Sequence, residues 1–139
     1  MNSTLSVINQ IVEASKAHKA TPRKITGMKP GEVVRQGDLY IEKLESLPEV
    51  GEVTNNTQLA IGQTQGSRHI ISPKPVNLTI YSPPKGASAL QGPFVSAPSA
   101  WTLTHPEHGN YCFEAGAYKV TYQRDYAKER AEELRRVSD

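Results

Sequence analysis

Residues 91–124 read QGPFVSAPSAWTLTHPEHGNYCFEAGAYKVTYQR, and their spacing decides the class of fold. Tyr118, Val120 and Tyr122 alternate with Lys119 and Thr121, the period of two that a strand covered on one face requires. Upstream, Trp101 to Thr104 and Tyr111 to Phe113 are two further strand-like runs. Between them lies His105-Pro106-Glu107-His108-Gly109, whose Pro and Gly mark a corner between strands.

Outward from this segment the same period recurs. Val34 opens one run, Gly37-Asp38 interrupts it, and Leu39 and Ile41 then share a face opposite Tyr40 and Glu42, until Leu47-Pro48 ends the element. Gln58 to Gln63, Arg68 to Ile71 and Val76 to Tyr81 are further predicted strands, and Ala117 to Arg124 closes the series. Many short strands separated by Gly, Pro, Asn and Ser predict a mainly β fold, an antiparallel sandwich or barrel, over residues 32–124. Ser82 to Pro93 carries few large apolar groups and reads as a long exposed loop, a candidate contact surface.

The two ends read differently. Asn2 or Ser3 can cap a helix running to about Lys19, with Leu5, Ile8, Val12 and Ser15 on one narrow face. Ala20 to Gly31, with Pro22, Gly27, Pro30 and Gly31, reads as an extended linker, so residues 1–31 form a helix and basic arm. Asp125 is a candidate cap for a short C-terminal helix over residues 125–139, with Lys128/Glu132 and Glu132/Arg136 at i,i+4 spacing.

With 139 residues, 37% apolar and 22% charged, the chain has the composition of one folded domain with tails. The net charge of +2 is too small to mark a nucleic-acid binder by itself. Its distribution is uneven: residues 1–31 carry Lys16, Lys19, Arg23, Lys24 and Lys29 against Glu13, residues 32–123 are net acidic, and residues 124–139 balance. Cys112 is the single cysteine, which excludes an internal disulfide and favours a reducing, cytoplasmic setting. No apolar run approaches the length of a membrane span, and a secretory leader pattern is not evident.

The histidines supply the one cluster with chemical potential. His105, Glu107 and His108 fall within four positions, and His69 adds a third imidazole if its strand lies alongside. Zinc takes three or four such ligands in tetrahedral geometry, so His69, His105 and His108 would be the ligands and Glu107 the general base of a small metal-dependent hydrolase. Against this, a Pro/Gly turn does not fix side chains as a helix does. A catalytic thiol needs a neighbouring base and a lowered pKa; Cys112 has His108 near in sequence, but a buried structural cysteine is the favoured reading. The serines form no nucleophile elbow, and Gly62-Gln63-Thr64-Gln65-Gly66 lacks the Lys-Ser/Thr of a phosphate loop.

Several stretches together carry a resemblance: Arg35-Gln36-Gly37-Asp38, Leu59-Ala60-Ile61-Gly62, Gly66-Ser67-Arg68-His69, His105-Pro106-Glu107-His108-Gly109, Glu114 to Val120, and Gln123-Arg124-Asp125-Tyr126. The pattern resembles a family of small uncharacterised β-rich proteins found in phages and bacteria, over about three quarters of the chain. Where that family often has Gly-His-x-His, this sequence keeps only His69. The resemblance implies a shared β-rich fold and a phage virion setting, and no reaction.

The expectation that follows is a structural or interaction protein without cofactor. It would be an auxiliary or decoration protein of a phage head, docked on other subunits such as a major capsid protein, or on its own copies. The partner-binding residues would be Leu5, Ile8, Val12, Arg23 and Lys24. A zinc hydrolase is the alternative, and a nucleic-acid accessory protein, binding through the basic arm, is the third reading.

Overall fold

Tyr118, Val120 and Tyr122 do share a buried face, and the strand that carries them is the hub of the molecule. In a computed structural model, which describes residues 23–124, ten strands form two sheets. They are β1 (Arg23–Ile25), β2 (Val33–Gln36), β3 (Leu39–Leu44), β4 (Val53–Thr54), β5 (Ile70–Ile71), β6 (Thr79–Tyr81), β7 (Gln91–Ala97), β8 (Trp101–Thr104), β9 (Tyr111–Phe113) and β10 (Gly116–Tyr122). The six-stranded sheet runs β2-β3-β10-β7-β6-β4 and the four-stranded sheet β1-β9-β8-β5. Both sheets are open, so the sandwich reading holds and the barrel reading does not. All pairs are antiparallel except β1 with β9, which is parallel.

Between the sheets, Tyr118 of β10 packs edge-on against Trp101 of β8 and Phe113 of β9, with ring centroids 5.3 and 5.5 Å away. Trp101 stacks on Phe113 at 4.7 Å. Such aromatic pairs contribute about 0.5–1.5 kcal/mol each beyond the area they bury. Leu39, Ile41, Ile80, Val95 and Val120 complete the core from one sheet, and Ile71 and Leu103 from the other. The Tyr118 hydroxyl donates to the Glu114 carbonyl, and burial, with the Glu114 charge secondary, pushes its pKa up to about 12.

Four expectations are corrected. Gln91–Pro93, expected as the end of an exposed loop, begins β7, an interior strand paired with both β10 and β6. The proline is tolerated because Gly92 and Pro93 together oppose Val120: Thr121 pairs Gln91 while Lys119 pairs Phe94. That extra residue is a bulge, the place in a sheet where a residue without an N–H does no harm. Gly92 is required there, since a Cβ would meet the Tyr122 ring at 2.9 Å.

Gln58 to Gln63, expected as a strand, contributes only an isolated bridge from Gln58 to Ile70. Its amide side chains take over backbone partners: Gln58 Nε2 donates to the Ala60 and Gly62 carbonyls, and Asn56 Oδ1 accepts from the Gln58 N–H. Such local bonds compete with a sheet ladder. Val76 lies in a turn and is 94% exposed, while Leu78 and Ile80 are buried as the alternation predicted.

Residues 23–31 are not free linker. β1 lies in register with β9, and the Gly27 N–H donates to Glu114 Oε1 at 2.6 Å. A three-residue strand containing Arg23 and Lys24 has no apolar alternation to announce it. The expected N-terminal helix, with Leu5, Ile8 and Val12, and the expected C-terminal helix over 125–139 lie outside the described residues.

Candidate functional site

β5 and β8 pair with Ile70 opposite Thr104, and the same register carried one residue further sets His69 opposite His105. Their ring centroids are 4.3 Å apart. The turn after β8 then folds His108 back over His105, with centroids 4.6 Å apart. The structure therefore gathers all three predicted histidines, as a stack with His105 in the middle. His69 is fully buried, His105 nearly so, and His108 exposed.

A residue the sequence reading passed over organises the stack. Gln36, the last residue of β2, is fully buried, and its Nε2 donates to the carbonyls of Leu103 at 3.0 Å and Gly109 at 2.9 Å. Two carbonyl partners fix which end of the amide is nitrogen, so Oε1 is the acceptor toward His69 Nδ1 at 2.8 Å. His69 therefore carries its proton on Nδ1. Its Nε2 is a bare, buried lone pair without a hydrogen-bond partner. The signal for Gln36 was present in the sequence: it shares strand parity with Val34, so an amide occupies an inward position of a covered strand.

His105 has the opposite tautomer. Its Nδ1 receives the backbone N–H groups of Glu107 and His108, both at 3.1 Å, and must be bare to do so. Its proton is on Nε2, which donates to the Gly66 carbonyl at 3.2 Å. The short 3-10 turn Gln65–Ser67 presents that carbonyl. Gly109, at φ +83°, lets the chain leave the turn toward β9, and its N–H returns to the His105 carbonyl.

His108 closes over the β2–β3 hairpin. Gly37 has φ +56°, and Asp38 after it does not have a positive φ, the pattern of a type II′ hairpin turn. A Cβ on Gly37 would lie 2.6 Å from His108 Cδ2 and 3.3 Å from His69 Cε1. Arg35-Gln36-Gly37-Asp38 is thus a structural unit: glycine for the turn and the close approach, glutamine for the histidine.

Electrostatics keep the inner rings neutral. Burial, then the neighbouring His105 and His108 rings, push His69 down to about 3, against a weaker upward pull from the Gly66 carbonyl. His105 is also lowered, chiefly by burial, with the Gly66 carbonyl opposing and His108 adding to the downward push. Glu107 and Asp38 pull it back up.

Both His105 nitrogens are committed to backbone groups, and among the described residues no group of three or more His, Cys, Asp or Glu is placed to hold a metal ion. Glu107 is exposed at the turn, and Cys112 is half-buried in β9 opposite Thr102. Arg23 and Lys24 sit in β1, where the Arg23 guanidinium covers the Tyr111 ring at 5.6 Å. No helix among the described residues is long and apolar enough to cross a membrane.

Fold and site define a small two-sheet β domain whose sheets are tied at one end by a buried glutamine and a histidine stack. Residues 35–123 match the family described as "Domain of unknown function (DUF8820)", and the chain belongs to that family. The matched span includes Gln36, Gly37, His69, His105 and His108. No curated protein and no solved structure matches the chain.

Proposed function

We propose that the protein is a structural or interaction protein that works by docking on other protein subunits through its sheet surface. The observation that carries this reading is at the edges of the six-stranded sheet. Among the described residues β2 and β4 are its outer strands, and each presents an exposed valine, Val33 at 51% and Val53 at 62%. Unpaired edges with apolar side chains are where another chain adds on. Beside β4 lies a cleft of about 120 Å³ lined by Thr54, Asn56, Ile61 and Pro83 among others. That is small for a substrate pocket, which usually spans about 300–1,000 Å³. The chemistry of the middle ring supports the same reading, because both His105 nitrogens are spent on backbone groups of the scaffold.

The finer setting, an auxiliary or decoration protein of a phage head bound to a major capsid protein, is supported by the sequence resemblance alone. The basic residues Arg23 and Lys24 contribute to it only as part of β1. Sedimentation velocity of the full chain, alone and with candidate subunits, tests the reading. Val33→Lys and Val53→Lys variants should lose the association while keeping the wild-type circular dichroism spectrum. A chain that stays monomeric and unbound, yet retains stoichiometric zinc that a His105→Ala/His108→Ala variant loses, would overturn it in favour of the metal hydrolase.

A further inference from the structure

We propose that the 105–109 turn is an acid-operated latch, held shut by the neutral His105 ring and released when that ring takes a proton, uncovering His69 and Gln36. The argument is geometric. His105 Nδ1 is the common acceptor for the Glu107 and His108 N–H groups, so one lone pair closes the turn. A proton can enter the ring only there, because Nε2 already carries one and donates it to Gly66. Protonation turns the acceptor into a donor facing two donors, and both bonds are lost together.

The rest of the turn depends on that closure. Gly109 receives a hydrogen bond from Gln36, and His108 covers Gly37, so a turn that lifts takes the roof off the buried His69. The groups facing His105 are His69 beside β5, His108 and Glu107 in the turn, Asp38 in the β2–β3 hairpin, and the Gly66 carbonyl. A proton on His105 sets a positive charge against the His69 ring at 4.3 Å, which further favours opening over an internal rearrangement. The lowered pKa of His105 places the release below the ordinary imidazole range of about 6.5. Opening of this kind is local, since the core around Trp101, Phe113 and Tyr118 contributes nothing to the latch.

Imidazole nitrogen NMR on the full chain at about pH 7.5 reads the starting state, where a charge-free ring is expected. The latch requires a bare Nδ1 and protonated Nε2 on His105, and the reverse on His69; a proton on His105 Nδ1 at that pH overturns it. Amide protection factors then follow the opening on acidification. Glu107 and His108 should lose at least about tenfold, the equivalent of one lost hydrogen bond, at a pH where Val120 of β10 keeps its protection. His105→Asn places an oxygen near the Nδ1 position that cannot take a proton, so its turn amides should stay protected through that range. Loss at the same pH in His105→Asn as in wild type, or wild-type loss only together with Val120, refutes the latch.

Discussion

Replacing Gln36 with leucine removes one side chain of similar size and takes a hydrogen-bond partner from three groups. The Leu103 carbonyl loses a donor at 3.0 Å, the Gly109 carbonyl a donor at 2.9 Å, and the His69 Nδ1–H an acceptor at 2.8 Å. A buried polar group left unpaired costs about 1–3 kcal/mol, which applies to the His69 Nδ1–H, with the low end fitting Gly109, which water can reach, and Leu103, which keeps its place in the β8–β9 pairing. Leucine recovers roughly 1 kcal/mol by burying apolar atoms, so the net loss is about 2–4 kcal/mol. Trp101 is the single tryptophan and is almost fully buried against Phe113, so its fluorescence reports unfolding in urea without a label. With a urea slope of about 1–1.5 kcal/mol per molar for a domain of this size, the midpoint should fall by about 2 M. Gln36→Glu keeps an acceptor for His69 but turns a carboxylate toward two carbonyl oxygens, and should be no more stable than Gln36→Leu at neutral pH. A midpoint shift in Gln36→Leu below about 0.5 M, with unchanged slope, would show that the amide does not tie the sheets and refute the account of the site.

Two further predictions concern the stack. Unfolded His69 takes up a proton near its ordinary value of about 6.5, whereas the folded ring resists it down to about 3. The unfolded state therefore binds more protons between those values, and the contribution is fully present above about pH 6.5 and lost as pH falls toward 3, by up to roughly 5 kcal/mol while His69 stays covered. Urea midpoints measured across that window should fall for wild type and flatten in His69→Phe; a flat wild-type profile contradicts the buried neutral ring. Gly37→Ala meets both the left-handed backbone and His108, and should lose about 1–3 kcal/mol in thermal denaturation. Adding His108→Ala should restore the part due to the clash and leave the backbone part, and strict additivity of the two changes would contradict the contact.

The strands of the inner face were legible because burial imposes a period of two, as Leu39, Ile41, Tyr118, Val120 and Tyr122 show. What escaped the sequence were elements whose pairing is set from elsewhere. β7 is interior yet contains Gly92 and Pro93, and only the bulge opposite Val120 makes that compatible with a ladder. β1 is three residues of mixed polarity, held by a register that belongs to β9. Conversely, Gln58 to Gln63 had strand-like composition but spent its amide side chains on local backbone groups. The histidines announced a site, while their grouping gave no information on where each proton sits. That is fixed by Gln36 from the far sheet and by Gly66 from a separate loop, partners distant in sequence. The two inner rings thus have opposite tautomers for opposite reasons: one must donate to an amide oxygen, the other must accept from the amides of its own turn. In the proposed latch this makes His105 the joint through which a proton reaches the fold, and makes Gln36 the tie between the sheets at that end.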